Sequence, residues 1–478
     1  MPAKSIRVPG ASHPRLDDGF ERIRRELRLP AGFPRAVTDE AEWVAEVPAL
    51  PTLDRTDLPL ITIDPPGSMD LDQAMHLEER PGGYRVWYAV ADVAAFVRPG
   101  GTIDAEARSR GETVHLPDHR VPLYPAILSE GAASLLPGVT RPAALWCVDL
   151  DADGQTVGAD VTRALVRSRE RLDYDYVQAA VDTGTADGTL RLLAEIGRLR
   201  LALERARGGV TLPKPEQEVV PVSGGYRVEL RASLQAESWN AQISLLTGMA
   251  AASMMLDAEI GLLRVLPPAP AEQVARVRRV AAALGVPWPE NTAYGDVVHG
   301  LDPKVPGQVA FLNESTVLLR GAGYVAFNGE PPAQADHAAV AAPYAHVTAP
   351  LRRLIDRYAT EICLSVAAGE PVPEEIQKAM GELPGIMHTT GRRASAVERA
   401  CVDLVEAFVL RERVGQTFEA VVIDVDDGHA SGQVQIDDPA VVARCDGEGL
   451  ELGKPVQVRL TRADPATREV RFTVFDSR

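Results

Sequence analysis

Apolar and polar residues follow two rhythms along this chain. A period of two marks half-buried strands, and a recurrence at three and four residues marks helices packed on one face. The β-formers Ile61, Thr62 and Ile63 predict a short strand that delivers Asp64. Residues 84–92 (YRVWYAVAD) predict a buried strand, and residues 143–150 and 157–166 flank Asp151-Ala152-Asp153-Gly154, a hairpin signal. Residues 226–230 alternate like a further strand. Helical spacing fills 104–110, 189–207, 237–259, 271–284, 351–367, 373–380 and 392–413, with stops at Gly208-Gly209, Gly285 and Gly369. After Gly415 the period of two returns, over 417–424, 430–436, 454–460 and 470–474. About five short strands in roughly 65 residues predict an OB-type barrel.

These textures imply three parts. Residues 1–50 form a small helical module, 51–413 an α+β domain with a mixed sheet and long helices, and 414–478 the barrel. In the first part, Asp17 or Asp18 caps a helix running to Arg28, stopped by Pro30 and Gly32. Thr38-Asp39-Glu40 caps a second, running to about Glu46. The pair reads equally as a helix-turn-helix-like unit or as a docking arm. Residues 48–59 read as a linker.

Composition excludes several classes. The 478 residues are 45% hydrophobic and 24% charged, the balance of a globular protein with a large core. Cys147, Cys363, Cys401 and Cys445 form no CxxC pair, which argues against a zinc site or a disulfide framework and for a reducing cytoplasm. The N-terminus shows no apolar secretory core, and the longest nearly apolar run, 243–256, is too short to span a bilayer. No membrane association and no obligate protein partner are indicated. A net charge of −17 disfavours non-specific binding of duplex nucleic acid through the outer surface, while leaving room for a local basic channel.

The chemistry concentrates in Ile61-Thr62-Ile63-Asp64-Pro65-Pro66-Gly67-Ser68-Met69-Asp70-Leu71-Asp72-Gln73-Ala74. A Pro-Pro-Gly turn separates Asp64 from Asp70 and Asp72, which share a side if the segment is extended. Like charges this close raise one another's pKa, and a hard divalent cation relieves that repulsion. On residue types alone, a solvated acidic turn explains the loop equally well.

The loop resembles the signature of the ribonuclease II/R (RNB) family of exoribonucleases. Family members usually carry four Asp here; Asp64, Asp70 and Asp72 match three, and Gln73 stands in the place of the fourth. A second block, Tyr344-Ala345-His346-Val347-Thr348-Ala349-Pro350-Leu351-Arg352-Arg353-Leu354-Ile355-Asp356, is similar to the family's Y-x-H-F-T-S-P-I-R-R-Y-x-D and lies about 280 residues later. Residues 84–97 also resemble a family strand, with Asp92 in its acid position, so the likeness runs over about 54–478. Residues 1–50 are shorter than the tandem cold-shock barrels of typical members. The final barrel resembles the family's S1 RNA-binding domain, although its aromatics are only Phe418, Phe472 and Phe475.

The resemblance implies Mg²⁺-dependent, processive 3′→5′ hydrolysis of single-stranded RNA to 5′-mononucleotides. It implies Asp64, Asp70, Asp72 and the amide of Gln73 as metal ligands, Asp72 and Arg352 as catalytic groups, and His115, Tyr344, His346, Thr348, Arg353 and Glu398 as RNA contacts. His115 stands where members usually have a stacking Tyr, and an imidazole holds a base less tightly. For the second block, Thr348 and Pro350 predict a helix start whose free N–H groups favour an anion, with Arg352 in its first turn. Trp239 reads as core or as an RNA-stacking ring. An RNA-binding pseudoenzyme or adaptor is the rival reading, motivated by Gln73 and His115.

Overall fold

The computed structural model describes residues 6–7, 14–212, 216–222, 225–231, 233–302, 305–426, 430–437 and 439–475. Helices α1 (Pro14–Glu26) and α2 (Arg35–Glu46) come first. Strands β1 (Leu60–Ile63), β2 (Gln73–Arg80) and β3 (Gly83–Ala91) follow. The short pair β4 (Val114–His115) and β5 (Arg120–Val121) leads to the long β6 (Thr140–Asp151) and β7 (Thr156–Leu172). The longest helices of the domain are α3 (Gly188–Ala206), α4 (Gln235–Asp257), α5 (Leu354–Ala367) and α6 (Leu383–Leu410). The C-terminal strands are β8 (Thr417–Val425), β9 (Ser431–Asp437), β10 (Ala440–Asp446), β11 (Pro455–Asp464) and β12 (Glu469–Val474).

Five strands of the large domain close into a barrel in the order β1-β2-β3-β6-β7. The predicted hairpin is β6–β7, and closure comes from β1 pairing parallel to the far end of β7. Side chains on alternate positions fill it. Tyr88 on β3 lies opposite Trp146 on β6, and both are fully buried. α4 packs against α3 where Gly197 leaves room for Trp239, since a Cβ there would meet the indole at 2.6 Å. Trp239 is 2% exposed, so it is core. The second close approach is Gly248, where α4 receives the ring of Tyr344.

The N-terminal helix is a buttress. Leu16, Phe20 and Ile23 of α1 pack with Val397, Leu404 and Phe408 of α6 and with Val114, Leu116 and Val121 of the β4–β5 pair. α1 also reaches the C-terminal barrel, through Glu26 to Arg468 at 2.7 Å and Arg22 to the Ala466 carbonyl at 3.2 Å. That barrel closes as β8-β9-β10-β12-β11, as the alternation predicted; β10, unread in the sequence, is its added strand. Phe418 and Phe472 stack edge-to-face inside it, 8% and 0% exposed, so neither ring offers a platform for bases.

Four helix starts differ from expectation; α1 begins at Pro14, so Asp17 lies inside its first turn instead of capping it. α2 begins at Arg35 behind Pro34, and Thr38 sits inside it, donating to the Arg35 carbonyl. α6 starts at Leu383, not at 392, because Pro384 falls in its first turn, where proline is tolerated. α5 starts at Leu354, and residues 349–353 form a turn outside it. No described helix is long and apolar enough to cross a membrane.

Candidate active site

The acid loop is built by backbone. The Asp64 N–H donates to the Leu172 carbonyl, fixing the first carboxylate at the end of β1. Pro65 to Ser68 then form a turn closed by Ser68 N–H to the Pro65 carbonyl at 3.1 Å, with Gly67 at φ 81°. Only glycine takes that φ without strain. Beyond it the chain is pinned rather than strand-like. Ser134 Oγ donates to the Met69 carbonyl at 2.6 Å and accepts from the Leu71 N–H at 3.0 Å. Leu71 is fully buried, and the Ala91 N–H holds the Asp72 carbonyl at 2.9 Å.

Asp72 is 5% exposed and is met by the second block. Leu351 N–H donates to Asp72 Oδ1 at 2.8 Å, and Arg352 Nε to Oδ2 at 3.2 Å. Arg352 does not lie in a helix. Its carbonyl accepts from Thr113 N–H at 2.9 Å, and Leu354 N–H donates to the Gly111 carbonyl at 2.9 Å, so the turn is stitched to the strand-like segment before β4. The expected anion site at a helix start is likewise filled from within the protein. Asp356 accepts from Ala349 N–H at 2.7 Å and takes both Arg353 nitrogens at 2.9 Å. Arg353 is thereby committed to Asp356, and buried Thr348 gives its carbonyl to Gln73.

Burial governs the charges. It pushes the Asp64 carboxyl up to about 6, against the pull of Arg352 and with repulsion from Asp70. It pushes Asp72 up to about 7, against Arg352 and the Leu351 N–H and with repulsion from Asp356 and Asp70. Asp64 Oδ2 is buried without a hydrogen-bond partner. Asp70 pairs with Arg120 at 2.7 Å, and Arg120 also holds Glu130. His115, opposite Arg120 in the β4–β5 pair, is open to solvent on the rim of this cluster. Desolvation by the surrounding protein, then the Arg352 charge, lowers its pKa.

The other expected residues fall elsewhere. Gln73 is a brace: its amide nitrogen donates to the Thr348 carbonyl, and its oxygen accepts from Tyr88 at 2.6 Å and Ser244 at 3.4 Å. That oxygen is turned to two hydroxyls rather than to the carboxylates. Tyr344 and His346 stack edge-to-face behind the Arg352 turn, where Tyr324 Oη lies 2.7 Å from His346 Nδ1. Burial and the Arg353 charge keep His346 neutral. Glu398 is half-buried on α6, pushed up to about 7 by burial, and no hydrogen bond or ion pair joins it to the acid loop among the described residues. Asp92 pairs with Arg163 at 2.9 Å. Arg120, Tyr88, Ser134 and Ser244 went unread; for Arg120, the proline-bounded hairpin opposite His115 was the available signal.

The acid loop is rich in the oxygen donors that hard cations prefer, and the partnerless Asp64 oxygen fits that use. Among the described residues, however, no three His, Cys, Asp or Glu side chains converge closely enough to hold a metal ion. Asp70 is turned to Arg120, and Asp72 to Arg352 and Leu351.

Comparison with known proteins places this geometry. A family model for the RNB domain matches residues 53–366, and one for the RNase II-type exonuclease C-terminal S1 domain matches 416–475. Ribonuclease R 1 of Lactococcus lactis is 25% identical over 96% of this chain and 61% of its own length. Ribonuclease R of Escherichia coli is 26% identical over 95% and 61%. The chain thus spans 61% of the length of both relatives. Among solved structures, the apo form of Mycoplasma genitalium RNase R superposes with a TM-score of 0.85 at 18% identity, covering 97% of this chain and 78% of that one. The same enzyme in complex with ribose-methylated single-stranded RNA gives 0.86 at 18%, with the same coverage. Yeast Ssd1, a pseudonuclease, gives 0.71 at 18%, covering 95% and 58%. At these identities the structures share the fold.

Proposed function

Because the chain belongs to the RNB family, we propose that it is a 3′→5′ exoribonuclease that hydrolyses single-stranded RNA to 5′-mononucleotides, processively and with Mg²⁺. The observation that carries this reading is the double contact on Asp72. Leu351 N–H and Arg352 Nε fix its two oxygens, so a buried carboxylate and a guanidinium from distant segments share one site. Arg352 spends one N–H on Asp72, and its side chain stays 45% exposed. The rest of its planar fork is open to a phosphate oxygen.

The residues divide the reaction as follows. Asp64, Asp70 and Asp72 are the groups that would hold Mg²⁺, with Asp70 released from Arg120. Bound there, the ion supplies Lewis-acid charge and a more acidic water. Arg352 stabilises charge that grows on the phosphate; losing such a donor typically costs on the order of 10²–10³ in rate. His115, on the rim, meets the terminal base or ribose with a neutral ring. In the C-terminal barrel Phe418 and Phe472 lie in the core, which leaves the partly exposed Phe475, with Arg459 over its ring, as the aromatic open to RNA.

One observation favours a second reading. The acids do not converge in this arrangement, and Gln73 is engaged elsewhere, as would suit an RNA-binding pseudoenzyme. A time course on 5′-labelled single-stranded RNA with Mg²⁺, beside Asp72→Asn, separates the two. A descending ladder from the parent, absent in a variant that still binds RNA, supports the exonuclease. Binding without cleavage by both overturns it.

A further inference from the structure

We propose that Gln73 is a positioning residue: a neutral strut that locks the acid loop to the Arg352 turn and for which a carboxylate cannot substitute. Its side chain meets three separate elements. The nitrogen donates to the Thr348 carbonyl in the second block, and the oxygen accepts from Tyr88 on β3 and Ser244 on α4. Tyr88 Oη also lies 2.8 Å from Ser244 Oγ, so the three side chains form one network. Tyr88 is fully buried and Thr348 is 4% exposed. Polar groups in such a place need partners, and Gln73 is the group that serves them all.

The chemistry of the amide is what makes this arrangement work. An amide donates through one end and accepts through the other; an ionised carboxylate only accepts. A glutamate at position 73 would set negative oxygen against the Thr348 carbonyl, and the shorter aspartate would fall short of it; either leaves that carbonyl unserved. Thr348 lies three residues before Leu351, whose N–H holds Asp72, and four before Arg352. Asp72 in turn is the residue next to Gln73. Two adjacent residues of the acid loop therefore grip the same turn, one by its carbonyl and one by its N–H and guanidinium. A strut at Gln73 sets where the Arg352 fork points without touching substrate.

This inference deepens the proposed nuclease reading and rests on it for the kinetic arm only. The test uses the full chain and Gln73→Leu, Gln73→Asp, Tyr88→Phe and the double variant Tyr88→Phe/Gln73→Leu. Three readouts are taken: amide hydrogen exchange over 344–353, Mn²⁺ binding by electron paramagnetic resonance, and RNA cleavage. Expected for Gln73→Leu is about tenfold faster exchange at 348–352, Mn²⁺ affinity within about threefold, and maximal rate lowered about 10- to 100-fold with KM within about threefold. Tyr88→Phe removes one hydroxyl from a site that keeps its ring, so it reports even where Gln73→Leu fails to fold. It should show the same split, more weakly, and add nothing in the double variant. Gln73→Asp should bind Mn²⁺ no more tightly than the parent and cleave more slowly. Unchanged exchange with Mn²⁺ weakened tenfold or more by Gln73→Leu would overturn the strut, as would faster cleavage by Gln73→Asp. Should the parent cleave no RNA, the nuclease reading fails, and exchange and Mn²⁺ binding still decide the strut.

Discussion

Arg352 Nε donates to Asp72 Oδ2 at 3.2 Å across a sequence separation of 280 residues, and the guanidinium remains nearly half exposed. A buried acid and a solvent-open base are thus coupled in one contact. Changing one side or the other has different consequences. Asp72→Asn keeps the shape and the Leu351 contact but removes the charge that orients Arg352. We expect cleavage to fall by on the order of 10³ with RNA binding retained. Arg352→Lys keeps the charge but not the fork, and should lose about 10² in rate. Single-turnover cleavage and filter binding on the same RNA measure both; a near-wild-type rate for Asp72→Asn would remove Asp72 from the chemical step.

The raised acids predict a pH dependence of stability. Asp64 and Asp72 move from an ordinary 3.8 to about 6 and about 7, chiefly through burial. Between those values the folded protein holds protons that the unfolded chain has lost. The contribution is full below 3.8 and is lost as pH rises through 6 and 7. Metal-free protein should therefore melt at lower temperature at pH 8 than at pH 6. Asp64→Asn and Asp72→Asn should each flatten that slope and raise the midpoint at pH 8. Cleavage runs the other way, rising with pH as the two carboxylates ionise. Thermal melts of parent and variants across roughly pH 5–8 (about one unit beyond each pKa) would show an unchanged slope if these acids were not the cause.

Much of this was legible in the residues, and the failures have definite causes. The acid loop and the second block could be read because their chemistry is concentrated in consecutive positions. The long helix expected over 237–259 forms at 235–257, legible because its run is nearly apolar over 243–256 and free of proline. Closure of the first barrel was not, since the parallel pairing of 60–63 with the far end of 156–172 is a long-range register that no local pattern encodes. The start of the helix at Leu354 was misplaced because Arg353 bridges Glu112, a tertiary contact that holds the preceding turn out of the helix. The bracing contacts of Gln73 were hidden for a similar reason. Its neighbours in sequence are acids, while its partners in space are Tyr88, Ser244 and Thr348.

Arg120 makes a separate prediction about the cation. It neutralises Asp70 at 2.7 Å and Glu130 beside it, from a side chain 30% exposed. A guanidinium on Asp70 competes with any ion that needs the same oxygen. Arg120→Gln should lower the Mg²⁺ concentration for half-maximal cleavage by about three- to tenfold, a modest change because the pair is partly solvated. RNA affinity should fall slightly, through loss of a positive charge near His115. A Mg²⁺ titration at fixed RNA tests this, and a higher Mg²⁺ requirement would show that Arg120 organises the acids instead of competing for them.

The N-terminal helix offers the last prediction, because it separates a structural role from a substrate role. Phe20 is 1% exposed and sits among Val114, Leu116, Val121, Leu404 and Phe408. Arg24 pairs with Asp118 at 2.8 Å, at the tip of the turn that carries His115 and Arg120. The helix therefore backs the hairpin whose far side faces the acids. Phe20→Ala should cost about 3–5 kcal/mol of stability, the usual range for emptying an aromatic site in a core. The loosened hairpin should reduce cleavage of linear and hairpin RNA by the same factor, since the defect lies in the site and not in duplex engagement. Melting curves with parallel digests of the two RNAs test this. Selective loss on the hairpin substrate would instead assign the helix a role in opening duplex, and a wild-type midpoint would deny it the buttress role altogether.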